Sequence, residues 1–525
     1  MRSTSCARPA PASRTAPNCA APLSTYGASV VAVEPHGLDA IGASERHGRP
    51  SDLFRLWFAA NAETATFAVG ILTTALFGTS FAGAALGIVC GNALAYAVVG
   101  LLSRGGPRFG LPQMVISRRA FGRDGNVVPA VLAFLAGVGW FAIDSVFGAQ
   151  ALGALAHVAY PLALTIVLIA QIALAVYGYN AIHAFERYAG FVLAAGFAVI
   201  AIGTLSRAHL GAPFDPHAPA AAGGELAGIV FSAAIAFSYA VGWGPAASDY
   251  ARYLPENSPP RAITWWAALG GFIPSTLLEL LGAAAVTAVR APGIAAATPA
   301  DTIVLLFGGG PLAVVGLLTV LIGTLSANCL NLYSGALSAL VAWDARRRPA
   351  FALGTGALIA LLAVVLLLAA RANDPSARFA PWIVATTALV VGGLAAAVVR
   401  WTLLRWQSAL AVGILGGALA LAGSDPAASA HLYTNFLSLL SIWAAPWAAV
   451  LLATRGTASR PVNARALAAW LAGIAASLPF WQQSWFTGPL AAAHPQIGDL
   501  SYFVAFGVAF AVAKVSERAV TQTAV

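Results

Sequence analysis

The sequence predicts an all-α polytopic membrane protein, and three observations carry that prediction. Of 525 residues, 59% are hydrophobic and only 9% are charged, too few charges to solvate a globular surface of this size. The apolar residues are gathered into runs of membrane-spanning length, about fourteen in all. The formal net charge of +9 is distributed as the positive-inside rule requires. With the N-terminus inside, Arg104, Arg108, Arg118, Arg119, Arg123, Arg187, Arg252, Arg261, Arg346, Arg347, Arg348, Arg400, Arg405, Arg455, Arg460, Arg465, Lys514, Arg518 and the tail arginines fall on the cytoplasmic side. The outer side keeps Arg207, Arg290, Arg371 and Arg378. The basic excess therefore calls for a bilayer and not for a nucleic acid, and both termini are expected in the cytoplasm of a cell whose plasma (inner) membrane holds the chain.

Residues 1 to 50 are rich in Ala, Pro, Ser and Arg, lack an apolar run of signal-peptide length and read as a disordered cytoplasmic tail. Spans follow at roughly 53–77, 80–102, 127–155, 159–178, 188–206, 225–247, 262–289 and 311–341. Further spans are read at roughly 351–370, 381–399, 407–423, 433–453, 465–482 and 500–515. The connection GGPRFGLPQMVISRRAFGRDG between spans two and three reads either as a short amphipathic helix at the inner interface or as a solvated loop. His183 and Glu186 fall in the connection after span four and read as solvated. Four widely separated cysteines (Cys6, Cys19, Cys90, Cys329) have no metal-ligand spacing, so neither a zinc site nor a disulfide framework is expected.

Span six, LAGIVFSAAIAFSYAVGWGPAASDYARYLP, places Gly242, Trp243, Gly244 and Pro245 in its middle. Proline removes a donor and clashes one turn back, so the helix breaks or kinks there. Broken backbone inside a membrane survives only where protein or a watery cavity satisfies it, as at transporter binding sites. Trp243 offers such a site a flat apolar face. The bland alternative is a proline-kinked helix with an interfacial indole.

Intramembrane polar groups are costly and so are functional candidates. Span one carries Asn61, Glu63 and Thr64, read either as interhelical hydrogen-bonding groups or, for Asn61 and Glu63, as cation-coupling groups at a second break. Span three sets Trp140 and Asp144 one turn apart on one face. Span eight sets Asn328 and Asn331 on one face, after Thr324 and Ser326. Glu279 in span seven is either a partner for a neighbouring helix or a proton-coupling acid. Two indoles, a carboxylate and two carboxamides suit a planar heterocycle, with rings on its faces and polar groups on its rim.

The stretches GLPQMVISRRAFGRDGN, GVGWFAIDSVFGAQAL, YAVGWGPAASDYARYLP, SANCLNLYSGALS and NFLSLLSIWAAPWAAVLL resemble, in order, those of the nucleobase:cation symporter-1 family, the purine, cytosine, allantoin and hydantoin permeases. The resemblance implies a twelve-span transporter with a five-plus-five inverted repeat, discontinuous helices one and six, and alternating access around a midplane site. It would divide the chain into a first repeat at 51–206, a second at 225–453, and two C-terminal spans with a short tail at 464–525. The roughly sixty additional residues at about 345–402, a departure from the family pattern, would form an inserted two-span hairpin on the periphery, making fourteen spans, or else a pair of re-entrant or interfacial helices.

By the same resemblance Trp140, Trp243 and Asn331, with Asn328 one turn before, are substrate-site positions; Gly242, at the break beside Trp243, is read as a further one. Asp144 stands where the family usually has Asn or Gln. An acid there favours donor-rich or cationic rings such as cytosine or adenine, or else carries the coupled proton. The span-eight hydroxyls that hold sodium in some relatives are represented by Ser326 with Thr324 displaced by one position, so the sequence leans to H+ over Na+.

The expected function is secondary active import of a nucleobase or related heterocycle by symport with a monovalent cation, with no cofactor. A carrier of thiamine precursors or amino acids on the same fold is the alternative. An integral-membrane enzyme would need acids or histidines gathered in surface loops, whereas here the unusual polar groups lie within spans.

Overall fold

In the computed structural model of the chain, which describes residues 30, 33–289, 298–344, 404–424, 426–454, 461–483 and 486–523, the first apolar span is two helices and not one. Helix α1 (Asp52–Asn61) ends where Ala62 leaves the helical region, and α2 (Thr64–Ala75) begins after Glu63, whose backbone is extended (φ −141, ψ 177). The Glu63 carboxylate caps α2, accepting from the Ala65 and Thr66 N–H groups at 2.6 and 3.1 Å. A carboxylate at a helix N-terminus satisfies orphan donors and meets the positive end of the helix dipole. The break thus closes its own hydrogen bonds inside the bundle.

The remaining helices follow in order: α3 (Phe81–Ser103), α4 (Gly105–Phe109), α5 (Gln113–Phe121), α6 (Val127–Ala156), α7 (Tyr160–Tyr177), α8 (Tyr179–Leu205) and α9 (Gly224–Val241). After them come α10 (Pro260–Val289), α11 (Pro299–Phe307), α12 (Pro311–Asp344), α13 (Arg405–Ala420), α14 (Pro426–Ala453), α15 (Ala464–Ser477), α16 (Pro489–Ala493) and α17 (Ser501–Thr523). A two-residue hairpin, β1 (Gln482–Gln483) with β2 (Phe486–Thr487), links α15 to α16. Among the described residues eight helices are long and apolar enough to cross a membrane, with Thr64–Ala75 and Ala464–Phe480 as shorter apolar ones.

Most boundaries sit close to those read from hydropathy, with three departures. Helix α8 starts at Tyr179, nine residues before the expected span, so His183 and Glu186 are helical and Glu186 is buried instead of solvated. The connection after α3 holds two short helices, and α5 buries Gln113, Met114, Ser117, Ala120 and Phe121 rather than lying free. Residues 33–50 are not a free tail either. They run along the bundle through bonds from Glu34 N to Tyr177 O, Ile41 N to Gly110 O and His47 N to Tyr253 O, because the Glu34 carboxylate is drawn in by buried arginines. The expected hairpin at 345–402 lies outside the described residues.

Small residues set the helix spacing. A Cβ on Gly70 of α2 would stand 1.8 Å from Glu279 O of α10, and one on Gly282 of α10 would stand 2.1 Å from Phe67 O of α2. The two backbones touch, as small residues allow in membrane helix pairs. Gly70→Ala is expected to lose about 3 kcal/mol or more by overpacking, checked as a loss of monodisperse, heat-resistant protein in detergent. Gly137 and Gly335 bring α6 and α12 together in the same way, along the most extensive helix interface among the described residues.

Helix α9 stops at Val241, followed by a 3-10 turn at Gly244–Ala246. From Trp243 on, the backbone bonds are i to i−3: Trp243 N to Ala240 O, Ala246 N to Trp243 O, Asp249 N to Ala246 O, Ala251 N to Ser248 O and Leu254 N to Ala251 O. Pro245 has no N–H to continue the α-helical ladder. The sixth span is therefore interrupted where the sequence placed the break.

Candidate functional site

The two broken spans meet. Asn61, the last residue of α1, is a hub: its Oδ1 accepts from Tyr96 Oη (2.7 Å), Trp243 Nε1 (3.0 Å) and Ser275 Oγ (3.3 Å), and its Nδ2 donates to Trp57 O (2.8 Å). One side chain thus ties α1 to α3, α10 and the break after α9. Its position at a helix end leaves the carboxamide free to turn toward three neighbours at once. Trp243 is 8% exposed, with its ring edge-on to Trp57 (centroids 5.3 Å).

One turn before Trp243, Tyr239 Oη donates to Glu63 Oε1 (2.9 Å) and lies 2.6 Å from Thr66 Oγ1. Trp140 of α6 stands edge-on to the Tyr239 ring (5.5 Å) and to Phe436 of α14 (5.1 Å). Gly139 permits this, since a Cβ there would lie 2.2 Å from the Phe436 ring. Both indoles, which the sequence put forward as a pair, approach the same turn of α9. Trp140 does so through the Tyr239 ring, whereas Trp243, one turn on, is held by Trp57 and Asn61.

Facing them, α6 and α12 share a polar ladder. Asn331 Nδ2 donates to Asp144 Oδ2 (3.1 Å) and Asn328 Oδ1 (3.2 Å). Asn328 Nδ2 in turn donates to Phe141 O (3.0 Å) and Ser145 Oγ (3.2 Å), and Ser145 Oγ donates to Gln171 Oε1 of α7 (2.8 Å). Each amide is oriented by the one behind it, so the row is fixed from α7 to Asp144. At its end Asp144, 1% exposed, has one oxygen on Asn331 and the other, Oδ1, with no hydrogen-bond partner among the described residues. Buried acceptors are normally satisfied. An orphan carboxylate oxygen beside an indole is the form a site for a ligand N–H takes.

The cation candidates separate. Asn61 and Glu63 sit at the α1–α2 break as hub and cap. Ser326 of α12 reaches it too, its Oγ 3.1 Å from Ala59 O. Thr324 does not: two residues away, about 200° round the helix, its hydroxyl donates to Leu321 O of its own helix and its carbonyl faces Gln171. Glu279 accepts from Asn92 Nδ2 (2.9 Å) on α3, in the α3–α10 interface. Gly242 is occupied with packing, since a Cβ there would lie 2.5 Å from Leu440 Cδ2.

Sequence reasoning passed over Tyr239, although it stands one turn from Trp243 on the same face. It also passed over a cluster at one end of the bundle. Glu34, fully buried, accepts from Arg252 NH2 (2.7 Å), Tyr253 Oη (2.6 Å) and Tyr333 Oη (3.0 Å) through Oε1, and Arg405 Nε lies 3.7 Å from Oε2. Burial alone would raise the Glu34 carboxyl, but Arg252, then Arg405 and the Tyr253 bond, hold it below the usual carboxylate range. No local pattern around Glu34 announces a partner more than two hundred residues away.

The profile of the permease family for cytosine/purines, uracil, thiamine and allantoin matches residues 40–391. The chain belongs to this family. Among curated permeases, the purine-cytosine permease fcyB of Emericella nidulans is 31% identical over 64% of this chain and 70% of its own length. The Bacillus subtilis protein YxlA, whose name assigns it provisionally to the purine-cytosine permeases, is 29% identical over 58% of this chain. The chain spans 65% of that relative's length, just under two thirds. Among solved structures, the permease fold is matched by Mhp1, a nucleobase-cation-symport-1 family transporter in a closed conformation with bromovinylhydantoin bound. The TM-score is 0.62 at 18% identity, covering 94% of this chain and 96% of that one. A Na+-coupled sialic acid symporter matches at TM-score 0.54 and 12% identity over 90% of each chain. The likeness to these structures is one of fold, that of a multi-pass membrane transporter.

Proposed function

We propose that this permease imports a planar nitrogen heterocycle of the nucleobase class by cation symport, holding the ring beside Trp140 and Trp243 while Asp144 and Asn331 read its edge. The observation that carries the reading is the unpartnered Asp144 Oδ1 at the end of the Asn331–Asn328 ladder. A buried carboxylate oxygen selects a ligand with N–H groups on its rim, which favours cytosine or adenine over diketo rings. The relatives named as purine-cytosine permeases support the same class. A carrier and not an enzyme fits permease relatives and polar groups placed within spans. The arginine distribution supports a plasma-membrane protein with both termini cytoplasmic, the Glu34 cluster then closing the cytoplasmic end.

Uptake of radiolabelled cytosine, adenine, hypoxanthine, uracil and allantoin into cells expressing the chain tests this, with unlabelled thiamine precursors as competitors. Trp243→Ala removes a ring face worth about 1–3 kcal/mol, so apparent affinity should fall by about 5- to 150-fold. Unchanged affinity would count against stacking. Trp243→Phe, which keeps a ring but loses the bond to Asn61, should fall between the two.

A further inference from the structure

We propose that the Glu186 carboxyl, seated between α8 and α12 beside the gap in the first span, is the proton-binding group of this permease. The proposal deepens the transport reading above and rests on it for the word coupling, but not for the existence of the site. Glu186 is the eighth residue of α8, about 11 Å along the helix, and is 1% exposed. Its Oε2 accepts from Ser326 Oγ (2.6 Å), and its Oε1 accepts from Cys329 Sγ (3.3 Å). The same Ser326 Oγ lies 3.1 Å from Ala59 O, close before the α1–α2 break.

No ion pair described in the structure includes Glu186. On its own helix the titratable neighbours are His183, one turn back, and Arg187, whose side chain is exposed. Helix α12 presents Cys329, and α1 carries Asp52 and Arg55, which pair with each other in its first turn (2.8 Å). The α1–α2 gap presents Glu63, which packs against Gly323 one turn before Ser326 and is engaged by α2 and Tyr239. Helix α10 carries Glu279, turned to Asn92, and α7 carries no charged residue. A carboxylate buried among such neighbours has no cation to hold its charge; unlike Asp144, whose second oxygen is open to a ligand N–H, both its oxygens are already engaged by a hydroxyl and a thiol, so the positive charge it can take up is a proton. Its hydrogen-bond partners are one hydroxyl and one thiol. A thiol is a poor ligand for a hard alkali cation, whereas a hydroxyl that can turn between two acceptors suits a carboxyl that gains and loses a proton.

The geometry also supplies a switch. With Glu186 ionised, the Ser326 hydrogen goes to Oε2 and Ala59 O loses its donor from α12. With a proton on Oε2, the carboxyl donates to Ser326 Oγ, and the serine hydrogen turns to Ala59 O. One proton gained moves one hydroxyl hydrogen and ties α12 to α1 at the break. Substrate contacts on the same α12 at Asn331 are then linked to proton uptake, and the linkage is reciprocal.

The test uses the full chain in proteoliposomes. Glu186→Gln, a near-isosteric stand-in for the protonated acid, should retain ligand-induced thermal shifts and exchange of labelled cytosine or adenine. It should lose accumulation driven by a pH gradient. In parallel, infrared difference spectra of the purified protein across pH should show a deuterium-sensitive protonated-carboxyl band that is missing in Glu186→Gln, a readout that needs no transported solute. Ser326→Ala should keep the band and lose the gradient-driven accumulation. The proposal is overturned if Glu186→Gln accumulates solute like the wild type, if the infrared titration is unchanged, or if a sodium gradient alone drives the wild type. Failure of every base in the uptake panel with the Glu186 band intact would remove the substrate reading and leave the proton site standing.

Discussion

Asp144→Ala is expected to reduce uptake by about 100-fold or more while leaving the protein as heat-resistant as the wild type. The asymmetry follows from the partners of the carboxylate. Asp144 holds Asn331 through one oxygen only, and among the described residues no basic group pairs with it, so removing it relieves a desolvation cost instead of breaking an ion pair. Asn331 Nδ2 keeps Asn328 Oδ1. What disappears is a charge-assisted hydrogen bond to the ligand, worth about 1.5–3 kcal/mol, and with it the orientation of the ring. Asp144→Asn separates the contributions: it keeps an acceptor for Asn331 but gives up the charge. It should retain part of the uptake and shift preference toward rings with more carbonyls. Uptake kinetics and thermal shifts with the same ring panel read both effects, and wild-type uptake by Asp144→Ala would remove the basis of the substrate assignment.

The second large effect lies at the other end of the bundle. Arg252→Met should cost about 3–5 kcal/mol, because it strands the Glu34 carboxylate in the interior, with Arg405 3.7 Å away and tyrosine hydroxyls as its company. Glu34→Gln combined with Arg252→Met should recover much of the loss, since no unpaired charge remains. The pH dependence has a definite sign. The folded Glu34 carboxyl is held below its unfolded value, so its stabilisation is complete above the ordinary carboxylate range and is lost as pH falls through the lower folded value. Melting temperature in detergent should fall on acidification below the ordinary carboxylate range in the wild type and less steeply in Glu34→Gln. An identical acid limb in both would show that the cluster does not control it.

How much of this was legible in the sequence depends on whether the signal was local. The break in the sixth span could be read from Gly242 to Pro245 because proline and glycine act on their own backbone. The Trp140–Asp144 and Asn328–Asn331 pairs could be read because helical spacing places them on one face. Glu186 and Glu34 were misread because both lie near stretches of mixed polarity, where hydropathy favours a loop or a tail. Their burial is decided by Ser326 and Arg252, more than a hundred residues away in the chain. Thr324 shows the reverse error: it is adjacent in sequence to the cation candidates and rotated away from them in space. The inserted segment at 345–402 remains a sequence expectation.

The stretch from Trp243 to Leu254 carries scattered i to i−3 bonds, with a regular 3-10 turn at Gly244–Ala246 alone. Beyond that turn its carbonyls are taken by other parts of the chain: Tyr250 O accepts from Tyr179 Oη (3.3 Å) and Tyr253 O from the His47 N–H (2.7 Å). A segment stitched to its neighbours as much as to itself cannot shift alone, so any displacement there is shared with α8 and with residues 33–50.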